Sequence, residues 1–65
     1  MKTVIYNGKK YIVPFEYKYV AMDYNGSVWF YKNEPFRQGS GYTAQGDKLR
    51  ADCISYNWEN SLEKV

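Results

Sequence analysis

Cys53 is the one strongly nucleophilic side chain in this sequence, and it stands in a chain that has no histidine. Cysteine chemistry runs through the thiolate, which a neighbouring imidazole usually generates. Without that base, a small apolar thiol packed inside is the commoner state of a free cysteine, and Cys53 is assigned to the core. Glu34, Asp47 and Asp52 could in principle supply an acid–base pair. Such work needs two carboxyls held in one cleft with separated pKa values, and nothing in their spacing brings them together. They read as solvated surface charges. Gly39, Gly41 and Gly46 lack the strand-to-helix setting and the Lys-Ser/Thr ending of a phosphate loop. Asp23-Tyr24-Asn25-Gly26 has too few oxygen ligands for calcium and suits a turn, and a chain with one cysteine and no histidine has few routes to a zinc site. The expectation is a non-enzymatic protein with no catalytic residue, no metal and no cofactor.

What the chain has in surplus is aromatic surface. Thirteen of its 65 residues are aromatic and eight of those are tyrosine, more than so short a chain needs for a core. Tyrosine joins a large apolar face to a polar tip that tolerates water, the composition of a binding surface. At this length the chain is one domain, 1–65, at the low end of independent stability, where only roughly 60% of the unfolded surface becomes buried. Small domains usually add disulfides, a metal or a partner subunit. The single cysteine excludes an internal disulfide, so self-association as a homodimer is the expected supplement. The opening residues carry only a three-residue apolar run, too short for a signal peptide, and no later stretch is apolar enough to span a bilayer. A cytoplasmic protein with no membrane contact is expected.

Charge is unevenly spread. Residues 1–50 hold eight Lys/Arg and four Asp/Glu, whereas 51–65 hold one lysine and three acids. That falls short of the strongly basic face of nucleic-acid domains.

Two Asn-Gly dipeptides set the elements that must position these rings, since both residues adopt the positive φ that tight hairpin turns require. Asn7-Gly8 is expected to join strands at Thr3–Tyr6 and Lys9–Val13, ended by Pro14. Asn25-Gly26 is expected to join Lys18–Tyr24 to Ser27–Asn33 through a two-residue loop. That register sets Asp23 opposite Val28, Met22 opposite Trp29, Ala21 opposite Phe30 and Val20 opposite Tyr31. Because side chains alternate, Val20, Met22, Trp29 and Tyr31 would share the core face, and Tyr19, Val28 and Phe30 the other. An apolar second face implies a cover, either the first hairpin or another molecule.

Residues 34–47 contain three glycines and a proline and are expected as a flexible Gly-rich loop, a length that is commonly functional or mobile. Phe36, Arg37 and Tyr42 within it are residue types found at protein-binding hot spots. Lys48–Tyr56 reads as a further strand, with Leu49, Ala51 and Cys53 on one side and Arg50, Asp52, Ile54 and Tyr56 on the other. Asn57–Val65 fits a short helix capped by Asn57, with Trp58, Leu62 and Val65 on one face and Trp58 and Leu62 anchoring it to the sheet. The fold class is α+β and mainly β: a small antiparallel sheet of about five strands built from two Asn-Gly hairpins, with a short C-terminal helix.

The run Pro14-Phe15-Glu16-Tyr17-Lys18-Tyr19-Val20-Ala21-Met22-Asp23-Tyr24-Asn25-Gly26-Ser27-Val28-Trp29-Phe30-Tyr31, then Pro35, then Trp58-Glu59-Asn60-Ser61-Leu62, resembles small bacteriophage proteins of unknown function. These share a Tyr-Val-Ala-Asp strand, an Asx-Gly turn, a following aromatic strand, a proline a few residues later and a closing Trp-x-x-Ser-Leu. The resemblance covers about residues 14–62, and its motifs are structural. It implies action in the cytoplasm of an infected bacterium, where a protein of this size binds and blocks a host or defence protein by steric occlusion. The partner-binding residues expected are Tyr17, Tyr19, Phe36, Arg37 and Tyr42. The alternative is a weak single-stranded nucleic-acid binder, with Tyr19 and Phe30 stacking on bases while Lys18, Lys32 and Arg37 meet phosphates. A minor virion or assembly component is a third reading.

Overall fold

The computed structural model describes residues 1–53 and 57–65. At Asn7 and Gly8 the backbone takes positive φ at both positions, 52° and 79°, as a two-residue type I′ turn demands. It joins β1 (Lys2–Tyr6) to β2 (Lys9–Val13), with Tyr6 opposite Lys9 and Lys2 opposite Val13. The first hairpin therefore has the loop its sequence specifies.

Asn25-Gly26 also makes a hairpin, through a longer turn. Gly26 takes positive φ (87°) and Asn25 does not. The Gly26 N–H donates to the Asp23 carbonyl at 2.9 Å, and the Asp23 N–H donates to the Ser27 carbonyl at 3.0 Å. A type I turn followed by a left-handed glycine gives a three-residue loop, held by the Asn25 carboxamide oxygen accepting from the Ser27 N–H at 3.1 Å. The extra loop residue moves the register of β3 (Tyr19–Met22) against β4 (Ser27–Tyr31) by one. Met22 faces Val28, Ala21 faces Trp29, Val20 faces Phe30 and Tyr19 faces Tyr31. This corrects the expected faces, because a one-residue slip turns a whole strand over. Val20 and Met22 share a side with Val28 and Phe30, and Trp29 and Tyr31 go with Tyr19 and Ala21.

The first hairpin covers the Val20/Met22/Val28/Phe30 side. Val4, Tyr6 and Val13 form one buried cluster with those four residues, and Tyr11, Tyr17, Trp58 and Val65 pack around it. The Tyr11 ring meets Phe30 edge-on at 5.6 Å between centroids. Each such side chain removed from water contributes about 1.5–3 kcal/mol, so this interface is the main stabilising element. Ala21 and Tyr31 on the opposite side are also buried.

The central sheet runs β7 (Lys48–Cys53), β4, β3, β8 (Glu63–Lys64), antiparallel throughout. In β7 (Lys48–Cys53) a bulge interrupts the pairing: Trp29 is opposite Arg50 while Val28 is opposite Asp52, leaving Ala51 as the extra residue. The expected alternation along this strand therefore breaks at Ala51. Leu49 and Asp52 face the Phe30/Val28 side and Arg50 the Trp29 side. Cys53 is exposed rather than in the core, since β7 is an edge strand at the sheet's margin; Ile54 and Tyr56, also assigned to this strand, lie outside the described residues.

Residues 34–47, expected as a flexible loop, contain a hairpin of β5 (Phe36–Gln38) and β6 (Gly41–Thr43). Its glycines serve turn and docking geometry. Gly39 takes φ 59° in the turn, and a Cβ on Gly41 would sit 2.5 Å from Asp23 Oδ1. The hairpin is fixed to the β3–β4 turn by the Tyr24 N–H donating to the Ser40 carbonyl at 2.9 Å and the Tyr42 N–H donating to Asp23 Oδ1 at 3.1 Å.

The C-terminal helix is replaced by a 3-10 turn (Trp58–Asn60) and a short strand β8 (Glu63–Lys64), and Asn57 makes no side-chain cap. A nine-residue helix is marginal by itself, whereas the open edge of β3 has backbone groups that need partners. β8 supplies them, with Glu63 opposite Val20, Lys64 opposite Tyr19, and the Val65 N–H donating to the Lys18 carbonyl at 2.8 Å. Trp58 packs against the core cluster, which is the anchoring role its sequence position suggests. The described chain is thus mainly β, built from small antiparallel sheets.

Candidate protein-binding surfaces

The five expected contact residues fall into three groups. Tyr17 is half-buried against the core, with the Lys32 ammonium 5.5 Å from its ring centroid. Tyr19 is half-buried in β3, between Tyr31 and Lys64 in the ladder. Phe36, Arg37 and Tyr42 are brought together on the β5–β6 hairpin, where Arg37 is directly opposite Tyr42 and Phe36 opposite Thr43.

Side chains alternate along this hairpin, and its two faces do different work. Arg37 and Tyr42 turn towards the 3-10 turn. The Arg37 guanidinium donates to Glu59 at 3.2 Å and lies 5.1 Å from the Trp58 ring centroid, and the Tyr42 hydroxyl donates to the Glu59 carbonyl at 3.1 Å. The Tyr31 hydroxyl donates to the Tyr42 carbonyl at 3.4 Å. Phe36, on the alternate position, stays 58% exposed. Arg37 and Tyr42 therefore hold the hairpin in place, and Phe36 is the large apolar group it presents.

A second tether joins the first hairpin to β7. Lys9 Nζ lies 2.6 Å from Asp52 Oδ2, and the Tyr11 hydroxyl donates to the same oxygen at 2.9 Å. The Lys9 hydrogen bond, the Cys53 backbone N–H and the Tyr11 hydroxyl together depress the Asp52 carboxyl to about 2. Tyr11 is pushed up to about 12, by burial first and then by its bond to Asp52. Tyr31 is likewise raised to about 12 by burial, with the charge of Asp23 adding to it. Both phenols are thus neutral hydrogen-bonding groups near neutrality.

Sequence reasoning missed the apolar groups at the start of the chain. Met1, Ile5, Ile12 and Phe15 are each about two-thirds exposed (70, 65, 64 and 66%). The signal was present in Thr3-Val4-Ile5-Tyr6, which is apolar on both faces of its strand. Pattern alone could not say that Val4 and Tyr6 would be covered and Ile5 left bare.

Among the described residues no group of three or more His, Cys, Asp or Glu side chains could hold a metal ion, and no helix is long and apolar enough to cross a membrane. The chain matches no protein-family model, no curated protein and no solved structure.

Proposed function

We propose that this chain is a small phage-type binding protein that attaches to a bacterial host or defence protein and blocks it by occupying its surface. The observation that carries this reading is the clasped presentation of Phe36. A short hairpin at a domain margin would ordinarily fray. This one is fastened at Asp23, Tyr31, Trp58 and Glu59, and the fastening leaves its bulky apolar side chain in water. Ordering the loop in advance lowers the entropy lost when a partner arrives. An exposed aromatic on a rigid mount fits an anchor entering a partner's pocket. The resemblance of residues 14–62 to small phage proteins supplies the bacterial setting.

Self-association is expected from a short chain without a disulfide, and an apolar second sheet face would add to it. Ala21 and Tyr31 on that face are buried within the single chain, which removes the second argument and leaves the first, so the proposed binder is a homodimer on the ground of size alone. The nucleic-acid alternative loses one of its two stacking platforms, because Phe30 is in the core. Two of its three cations are also occupied, Lys32 by Asp47 and Arg37 by Glu59.

The test is affinity capture of the tagged chain from nuclease-treated bacterial lysate, comparing wild type with Phe36→Ala. A specific bacterial protein retained by wild type and lost by the variant is the expected result. Equal retention by both, or recovery of nucleic acid alone when nuclease is omitted, would overturn the proposal.

A further inference from the structure

We infer that the outer face of the β1–β2 hairpin is a separate binding surface, and that it takes a short extended protein segment in which apolar residues alternate with an acidic one. The inference goes beyond the role proposed for Phe36, which is on a different hairpin. In the register of this ribbon Thr3 is opposite Ile12 and Ile5 opposite Lys10. These four residues point away from the core, because Val4, Tyr6, Tyr11 and Val13 point into it. Met1, just before β1, continues its outward set, and Phe15 is exposed in the turn two residues past β2. Ile5 and Ile12 are diagonal neighbours on one face, a spacing at which long side chains still touch.

Met1, Ile5 and Ile12, each about two-thirds exposed, make a patch on the order of a few hundred Å², a size at which exposed apolar surface on a monomer is often functional. It is smaller than the roughly 800 Å² that each partner contributes to a stable protein complex, so it suits a peptide-like segment better than a whole globular face.

Charge selects the occupant. Residues 1–14 contain three lysines and no acid. Lys9 is committed to Asp52, and Lys2 donates to the Val65 carbonyl at 3.2 Å. Lys10 makes no ion pair among the described residues and stands beside Ile5 on the outer face. A partner must bring a carboxylate to Lys10 and apolar groups to Ile5 and Ile12. A second copy joined by two-fold symmetry offers the same patch to itself, and that patch has no carboxylate. An anionic membrane calls for a cluster of several uncommitted cations, and here two of the three lysines are already engaged.

The experiment is a display selection of short random peptides against the immobilised full chain, followed by affinity measurements on the recovered sequences. The expected peptides alternate apolar residues with Asp or Glu. Their binding falls by at least about tenfold, a difference readily resolved in Kd, in the double variant Ile5→Ser/Ile12→Ser, and it is unaffected by Phe36→Ala. Selection against Lys10→Glu should recover Lys or Arg in place of the acid. All three positions are exposed, so the variants keep the core. The inference is overturned if no peptide is recovered, or if the double variant binds as well as wild type. It is also overturned if wild type sediments as a dimer that the double variant dissociates, or if these residues instead drive binding to phosphatidylglycerol vesicles.

Discussion

Ser61 completes the edge of β3 by bonding to Met22. Its Oγ accepts from the Met22 N–H at 2.8 Å, and its single hydrogen faces the carbonyls of Trp58 at 2.7 Å and Met22 at 3.2 Å. A buried hydroxyl thus takes the place of a backbone partner where β8 has not yet begun. The Tyr6 hydroxyl donates to the Ser61 carbonyl at 2.7 Å, so the same residue ties the first hairpin to the C-terminal segment. Ser61→Ala leaves the buried Met22 N–H without its acceptor, a loss of about 1–3 kcal/mol. Urea unfolding should show a lower midpoint with an unchanged slope. A change under about 0.5 kcal/mol, the range of ordinary surface substitutions, would show that the bond is dispensable.

Acid should loosen the first hairpin through Asp52. Its carboxyl is held at about 2 in the folded chain against an ordinary 3.8. A lowered folded value favours the fold above 3.8, and that contribution disappears as pH falls through about 2. Asp52→Asn should flatten the pH dependence of stability between those values. An NMR titration placing the Asp52 carboxyl near 3.8 would contradict this account.

Tyr11 acts at the alkaline end with the opposite sign. Its folded value near 12 lies above the ordinary 10, so its contribution is complete below 10 and is lost as pH rises through 12. Tyr11→Phe keeps the ring against Phe30 and removes that titration. Ultraviolet difference titration should then show one fewer late-ionising phenol.

Gly41→Ala tests whether the second small hairpin is docked. The new methyl would meet Asp23 Oδ1, the oxygen that accepts the Tyr42 N–H. Faster hydrogen exchange at the Tyr42 amide is expected, with a loss of about 1 kcal/mol in global stability, typical of one net hydrogen bond. Unchanged exchange would mean that Asp23 swings aside without releasing the hairpin.

Phe36 and Phe30 should separate surface from core. Phe36→Ala should leave stability within about 0.5 kcal/mol, whereas Phe30→Ala should cost about 3–5 kcal/mol. Tyr19→Ala, at a half-buried position in a central strand, should fall between them. Thermal unfolding of the three variants checks the order, and a large loss for Phe36→Ala would place that ring in the fold rather than at a contact.

The residues themselves determine the mainly β character, both hairpins and the anchoring of Trp58, because Asn-Gly geometry and local alternation act within a few neighbouring residues. They also place Phe36, Arg37 and Tyr42 together in a polar, Gly-rich segment. Three features depend on contacts distant in sequence. The register of β3 on β4 turns on one extra loop residue, Tyr24, and both registers place an apolar set on each face, so pattern could not choose between them. The C-terminal segment forms a strand because β3 offers an unpaired edge, a demand invisible within residues 57–65. Arg37 and Tyr42 fasten a hairpin because Glu59 and Trp58, some twenty residues further along, come to lie beside them. Sequence fixes what is local, and tertiary structure decides which sticky faces are covered, since burial depends on what the rest of the chain brings against each face.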